Sequence, residues 1–204
     1  MTVETTLRER KRAKARAELI HAAIGLFERQ GFAATTIGEI ADTAEYSQST
    51  FFRYFGTKED VLFADVDDHL GVLRQHLADE LGTGTVWDAV IRSVEGTTRA
   101  FISSDPEFGA RRIELWMSEP ALRARYIEHA AAWEAAIRSS VARHRGKGPG
   151  DDVYASIVAM GAITAFRVAV ESLPSNDGSF LERLHSGFEL LGKGLAEEPR
   201  RRRK

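Results

Sequence analysis

Residues 35–61, TTIGEIADTAEYSQSTFFRYFGTKEDV, decide how this chain is read. Three helix starts follow one another in this stretch. Thr36-Ile37-Gly38-Glu39 is a capping box: a hydroxyl opens the helix and a carboxylate three residues on reaches back to the cap. Ile37, Ile40, Ala41 and Ala44 then recur at helical spacing. Ser47 opens a second, short helix with Phe51, Phe52 and Phe55 as its expected apolar face, and Gly56 is placed to end it in the left-handed conformation. Thr57-Lys58-Glu59-Asp60 is a third cap, with acids in the first turn where the helix dipole favours them.

Two short helices joined by about three residues make a helix-turn-helix, whose second helix fits the DNA major groove. The exposed face of that helix is expected to carry Gln48, Ser49, Arg53 and Tyr54, side chains that reach base edges or phosphates. An ordinary helical corner with a polar, solvated face has the same spacing. Spacing alone leaves both readings open.

Composition narrows the surroundings of this motif. A chain of 204 residues buries a substantial core in one or two domains, and 43% hydrophobic with 28% charged residues reads as a soluble globular protein. The absence of cysteine excludes a disulfide framework, a zinc–thiolate site and thiol catalysis. No apolar run approaches the ~18 residues of a membrane span, and the basic N-terminus lacks the apolar core of a secretory signal. A cytoplasmic protein with no membrane partner is therefore expected. Net charge is only −2, but residues 1–16 concentrate Arg8, Arg10, Lys11, Arg12, Lys14 and Arg16 against Glu4 and Glu9. Residues 1–15 read as a basic arm that supplies sequence-independent phosphate affinity, or as a disordered solubilising tail. The basic run Arg200–Lys204 after Pro199 reads as a frayed tail, residues 197–204.

The matching residues across 16–65 resemble the DNA-binding domain of the TetR family of transcriptional repressors. They are Ala22-Ala23 and Leu26-Phe27, Gly31-Phe32, Thr35-Thr36, Ile40-Ala41 and Ala44, then Ser47, Thr50, Tyr54-Phe55, Lys58 and Val61-Leu62. The chain departs from the family pattern at Glu45, where the turn usually has glycine, and at Phe52, where tyrosine is frequent. The resemblance implies an all-α protein with a three-helix DNA-binding domain at 16–63 and a helical effector-binding and dimerisation domain at 64–196. It implies that Thr36, Ser47, Gln48, Ser49, Thr50, Arg53, Tyr54 and Lys58 meet DNA. Thr36, Tyr54 and Lys58 would act mostly on phosphates, and Gln48, Ser49 and Arg53 on bases.

Periodicity lays out the rest. A first helix is expected over Ala15–Gln30, with Leu19, Ile20, Ala23, Ile24 and Phe27 inward and Gly31 as its end. A long helix is expected from Thr57 to about Leu81, with His69 and His76 as a half-exposed surface pair on one face. Further helices follow over 85–103, Phe108–Met117, Ala121–His144, 151–173 and 179–195, with no strand candidate. Apolar residues nearly encircle the helix at 151–173 and stripe the last one, which points to burial on most sides. A partner subunit explains this, and so does a larger monomeric core. The resemblance implies the first: a homodimer through the last two helices, on a palindromic double-stranded operator.

No GxSxG, HExxH, phosphate-cradling loop or dinucleotide fingerprint occurs, so neither enzymatic activity, nor a cofactor, nor a metal site is expected. Ligand pockets are mostly apolar with a few polar groups. Trp87, Phe101, Phe108, Trp116, Met117, Tyr126, Trp133, Met160 and Phe166 supply such side chains, although residues of this kind at helical spacing are also ordinary core. Residues 111–122, with Ala132-Trp133-Glu134 beyond, are similar to the C-terminal domain of an actinobacterial subgroup of the family associated with acyl-CoA-like ligands. That implies Arg112, beside Arg111, as an anion partner at a pocket mouth, with Trp116 and Met160 along an acyl channel. The expected function is a repressor released by a small hydrophobic effector of that class. An activator of the same fold, and a small-molecule-binding protein with a vestigial DNA-binding domain, are the alternatives.

Overall fold

The protein was analysed as a computed structural model, which describes residues 7–102, 106–173 and 178–194. Among the described residues there are nine helices and no strand. They divide into two compact units, one running to Asp65 and taking in Glu119–Arg125, the other holding the remainder.

The first unit contains α1 (Leu7–Gln30), α2 (Ile37–Thr43) and α3 (Gln48–Tyr54). Helix α1 begins eight residues before the expected start, so the described part of the supposed basic arm is helical. The sequence LRERKRAKARAE consists of strong helix formers with no breaker, and Lys14 pairs with Glu18 one turn on at 3.7 Å. The inner face of α1 is the one expected: Leu19, Ile20, Ala23, Ile24 and Phe27 are buried. It packs on α2, where Ile40 and Ala41 are buried, α2 packs on α3, where Phe51 is buried, and Gly31 ends α1 at φ +85°.

Thr36 and Ser47 cap α2 and α3 as their positions predict. The turn between them bends at Glu45, which takes φ +59° where the family pattern has glycine. The amide of Tyr46 closes this turn on the Ala41 carbonyl at 2.8 Å, and its phenol donates to Glu18 of α1 at 2.7 Å. Gly56, by contrast, has no positive φ, because α3 already ends at Phe55 in extended backbone.

The long helix expected from Thr57 starts only at Val66. The Thr57–Asp60 box forms, with the Thr57 amide donating to Asp60 Oδ2 at 2.9 Å and the Asp60 amide to Thr57 Oγ1 at 3.3 Å. Turns closed between residues three apart then follow, Leu62 on Glu59 and Phe63 on Asp60. They turn Val61, Leu62 and Phe63 inward, and the Ala64 carbonyl that a helix would use is taken by Arg16 of α1.

The second unit holds α4 (Val66–Glu80), α5 (Val86–Ile102), α6 (Pro106–Leu115), α7 (Pro120–His144, entering it at Tyr126), α8 (Val153–Glu171) and α9 (Phe180–Gly192). Helix α5 is central, packing on α4, α6, α8 and α9, and α8 lies along α9. Small residues permit the closest approaches. A Cβ on Gly187 would meet Ala165 at 3.2 Å, and one on Gly192 would meet Trp87 Nε1 at 2.7 Å. Contrary to the sequence reading, α8 is long and apolar enough, by length and composition, to match a membrane span. It nevertheless buries Ala155, Val158, Ala159, Ala162, Ala165, Ala169 and Val170 in the bundle and carries Arg167 and Glu171. Its other side exposes Val153, Ile157, Met160 and Val168, to which α9 adds Leu190.

Candidate functional site

A seven-residue helix has two usable faces. On α3, Phe51 is fully buried, whereas Phe52, expected beside it, is 54% exposed. One residue turns a helix by about 100°, so Phe52 leaves the core and joins Ser49 and Arg53 on the outer face. Sequence reasoning placed Phe52 on the apolar face and missed its exposure, although the spacing 49, 52, 53 was the available signal.

Most of the other expected DNA residues also line this side, but several are already bonded. Ser47 Oγ accepts from the Thr50 amide at 3.2 Å and lies 2.8 Å from Ser49 Oγ and 3.0 Å from Thr50 Oγ1, so three hydroxyls form one knot at the start of α3. Gln48 lies back against α2, its Nε2 close to the hydrogen face of Gly38. Thr36 is exposed and shares its capping box with Glu39, whose carboxyl is held below the usual range by the Thr36 amide and hydroxyl. The ring of Tyr54 is flanked by guanidinium groups, Arg53 at 5.2 Å and Arg12 of α1 at 6.0 Å from its centroid. A tyrosine so placed presents its ring to two cations while the cations stay solvated.

Lys58 departs from its expected role. Its ammonium donates to the carbonyls of Phe32 at 2.7 Å, Thr35 at 3.0 Å and Ala33 at 3.4 Å, and lies over the Phe32 ring at 4.3 Å. An ammonium has three N–H donors, and all three are used on the α1–α2 loop. Lys58 holds that loop rather than standing ready for a phosphate.

In the second unit the expected ligand residues separate into groups. Arg112 is only 4% exposed, with its guanidinium over the Phe101 ring at 4.8 Å. Trp116 lies 5.8 Å from Phe101 and stacks on Tyr126 of α7 at 5.9 Å. His69 meets Phe101 edge-on at 5.0 Å, and His76 Nδ1 is 3.0 Å from Thr97 Oγ1. The two histidines are half-exposed and share a face, as expected, and that face turns toward α5. One heptad beyond Tyr126, Trp133 approaches Phe166, which meets Phe180 edge-on at 5.3 Å. Phe108 and Met117, on and just after α6, are half-buried.

Two of the expected residues lie elsewhere. Trp87 packs edge-on against Phe188 at 5.7 Å and donates to its carbonyl at 3.4 Å, locking α5 to α9. Met160 is 57% exposed on the outer side of α8, because its register matches Val153 and Ile157 and not the inward alanines. Met160 therefore does not line the interior.

The aromatic groups contain an unresolved polar demand. Tyr126 Oη and Trp133 Nε1 are buried and have no hydrogen-bond partner among the described residues. Burial pushes the Tyr126 phenol far above its ordinary range, so it is a neutral hydroxyl. Buried polar groups in native proteins are almost always bonded, and each orphan calls for an explanation. Both sit on one side of α7, about two turns apart. Among the described residues no group of histidine and carboxylate side chains is arranged to hold a metal.

The all-helical order, the capped helix pair with a polar outer face and the C-terminal helical bundle are the architecture of a helix-turn-helix transcriptional regulator. Residues 19–64 match the family profile for bacterial regulatory proteins of the tetR family, and residues 84–196 match that of the MftR C-terminal domain. The chain belongs to the TetR family of DNA-binding transcriptional regulators, a non-enzymatic class. A Mycobacterium tuberculosis protein named as the mycofactocin biosynthesis transcriptional regulator MftR is 27% identical over 187 residues, covering 91% of this chain and 93% of that one. A TetR-family regulator from Syntrophomonas wolfei has the same fold at a TM-score of 0.68 and 16% identity, covering 90% and 97%. Thermus thermophilus FadR, solved with lauroyl-CoA, does so at 0.55 and 22%, covering 90% and 96%.

Proposed function

We propose that this regulator is a homodimeric repressor of the bacterial cytoplasm, released from a palindromic operator by an amphiphilic, acyl-CoA-like effector. The observation that carries the effector reading is the pair of orphaned buried polar atoms, Tyr126 Oη and Trp133 Nε1, within an aromatic lining. A ligand carbonyl or amide would satisfy them, its chain would lie among Trp116, Phe101 and Phe166, and Arg112 would favour an anionic or carbonyl group. Residues Phe108 and Met117 remain candidates for the same lining, and the lauroyl-CoA complex of the Thermus thermophilus protein supports this ligand class.

At the DNA, Ser49, Phe52 and Arg53 would read bases, with Gln48 joining them on leaving Gly38. Thr36, Ser47, Thr50 and Tyr54 would position the helix on phosphates, aided by the basic first turns of α1. Effector binding shifts operator affinity only by its difference in affinity for the two states. Helix α7 offers a route for that difference: Arg125 pairs with Asp60 at 2.7 Å in the first unit, and the next residue, Tyr126, stacks on Trp116 in the second.

The test is fluorescence anisotropy on DNA from upstream of the protein's own gene, at two salt concentrations with random duplex as competitor, followed by acyl-CoAs of graded chain length. Competitor-resistant binding that one chain length reverses is the expected result. Binding equal to random duplex would overturn the operator reading, and indifference to every acyl-CoA would overturn the effector reading. Activation in place of repression would be revealed by the position of the operator relative to the promoter.

A further inference from the structure

Several arginines of the second unit sit in ion pairs. Arg92 pairs with Glu80 at 2.6 Å, Arg145 with Asp152 at 2.7 Å, Arg138 with Glu134 at 3.8 Å and Arg167 with Glu171 at 3.9 Å. Arg74 of α4 and Arg143 of α7 have no such partner among the described residues, and neither has a carboxylate three or four positions away on its own helix. Both line one cavity of about 530 Å³, between the C-terminal halves of α4 and α7, together with His144 and the hydroxyls of Ser139 and Ser140. Its floor is apolar and made of small or branched side chains: Leu77, Ala78, Leu81, Ala135 and Ala136.

Among the described residues no acid lines this cavity. The nearest carboxylates on the two helices are occupied, since Asp79 accepts from Gln75 at 2.9 Å and Glu80 and Glu134 hold Arg92 and Arg138. Two guanidinium forks, an imidazole and two hydroxyls thus converge without counter-charge. The volume lies within the range of small-molecule sites. Arginine forks match the oxygens of a phosphate, and serine hydroxyls add donors to the same oxygens. The dipole at the end of α7 favours a cation there, which accounts for Arg143 and His144 as helix residues. It does not account for Arg74 in the body of α4, nor for the cavity.

We propose that this α4–α7 cavity is a second ligand site, distinct from the aromatic interior, that takes a phosphate- or pyrophosphate-bearing molecule. The phosphate bridges Arg74 and Arg143 beside Ser139 and Ser140, and an attached apolar segment lies over Leu77, Leu81 and Ala135. The phosphate is either free or carried by an organic group, and the floor distinguishes the two.

The test is isothermal titration of the full-length protein, without DNA and at constant ionic strength, with inorganic pyrophosphate and with hexyl phosphate. Saturable binding is expected, weakened about tenfold by Arg74→Gln and by Arg143→Gln, the scale of one lost charge-assisted bond. Arg29→Gln in the last turn of α1 removes the same charge elsewhere and should leave binding unchanged. Ala135→Phe fills the floor: loss of hexyl phosphate binding alone assigns the site to a carried phosphate, and stronger binding of pyrophosphate in the parent assigns it to the free one. Unchanged circular dichroism and thermal melting verify that the variants fold. Absence of saturable binding to both probes, or an equal loss in Arg29→Gln, would overturn the proposal.

Discussion

At the scale of single residues, Lys58 and Phe52 exchange the roles their positions suggest. The Lys58 ammonium is spent on three loop carbonyls, so its loss unties the α1–α2 loop and leaves those acceptors without a charged donor. Lys58→Met should lower unfolding free energy by about 1–3 kcal/mol, the range for hydrogen bonds to charged groups. Urea denaturation measures this, and the salt slope of operator binding should not change; a smaller slope with unaltered stability would restore the phosphate contact. Phe52 has no hydroxyl for a phosphate, but its exposed ring stands beside Ser49 and Arg53, where an apolar group meets the methyl of thymine. Replacing operator thymines one at a time by uracil deletes only that methyl. The parent protein should lose affinity at one position per half-site, and Phe52→Ala should be indifferent there. Arg53→Ala, by contrast, should relax specificity by about 1–3 kcal/mol at a guanine. Equal losses on operator and random duplex would refute both assignments.

At the scale of elements, the caps carry more of the argument than the hydrophobic stripes. Glu45 occupies the left-handed region at φ +59°, which costs a non-glycine residue about 1–2 kcal/mol. Glu45→Gly should therefore stabilise the first unit by up to about 1 kcal/mol once the greater freedom of unfolded glycine is deducted. Glu45→Val should destabilise it, and chemical denaturation orders the three. Asp152 caps α8 from a buried position. Burial works to raise its carboxyl, but Arg145 and the Ala155 amide outweigh it and hold the group below the ordinary range. A depressed carboxyl stabilises the fold above its unfolded value of about 3.9 and loses that stabilisation as pH falls through the folded one. The urea midpoint should thus decline from about pH 5 downward, and Asp152→Asn should flatten part of the decline, with Glu39, Glu80, Glu182 and Glu189, whose carboxyls are also held low, contributing to the rest. The caps at Thr36, Ser47 and Thr57 were legible because a hydroxyl or carboxylate at a fixed offset from its amide is a local signal. So were most helices and the inward face of α1. The start of α4 was not, because the bond that competes for the Ala64 carbonyl comes from Arg16, 48 positions away. The outward register of Met160 was lost for another reason: on a helix apolar nearly all round, composition does not say which side meets a neighbour. Phe52 was grouped with Phe51 and Phe55, although its spacing from Ser49 and Arg53 puts it on the outer face of α3. Of the aromatic lining, the residue types were visible and the orphaned atoms were not, since satisfaction of a polar atom depends on what packs around it.

At the scale of the whole molecule, a net charge of −2 makes binding to nucleic acid a matter of where charge lies, and the basic first turns of α1 carry a concentrated share. A single unit with a seven-residue helix as its proposed reader would contact few bases, so the proposed operator binding calls for two copies on two half-sites. The outer side of α8 offers the means. Val153, Ile157, Met160 and Val168 are 73%, 64%, 57% and 51% exposed, a contiguous apolar stripe beside Leu190 of α9 at 61%. Monomeric proteins rarely leave such a stripe to water. The proposed homodimer buries it, and linking two half-site contacts raises avidity by about 10²–10⁴ without any new contact. Ile157→Glu combined with Met160→Glu places charges in that stripe and touches no buried residue. The variant should sediment as a folded monomer with unchanged circular dichroism. It should lose operator affinity by about 10²–10⁴, to the level of random duplex, and keep the salt dependence of each single contact. An undiminished dimer would move the interface elsewhere on the bundle. A monomer that still holds its operator at full affinity would show that one recognition helix suffices, and the requirement for two-fold symmetry would fall with it.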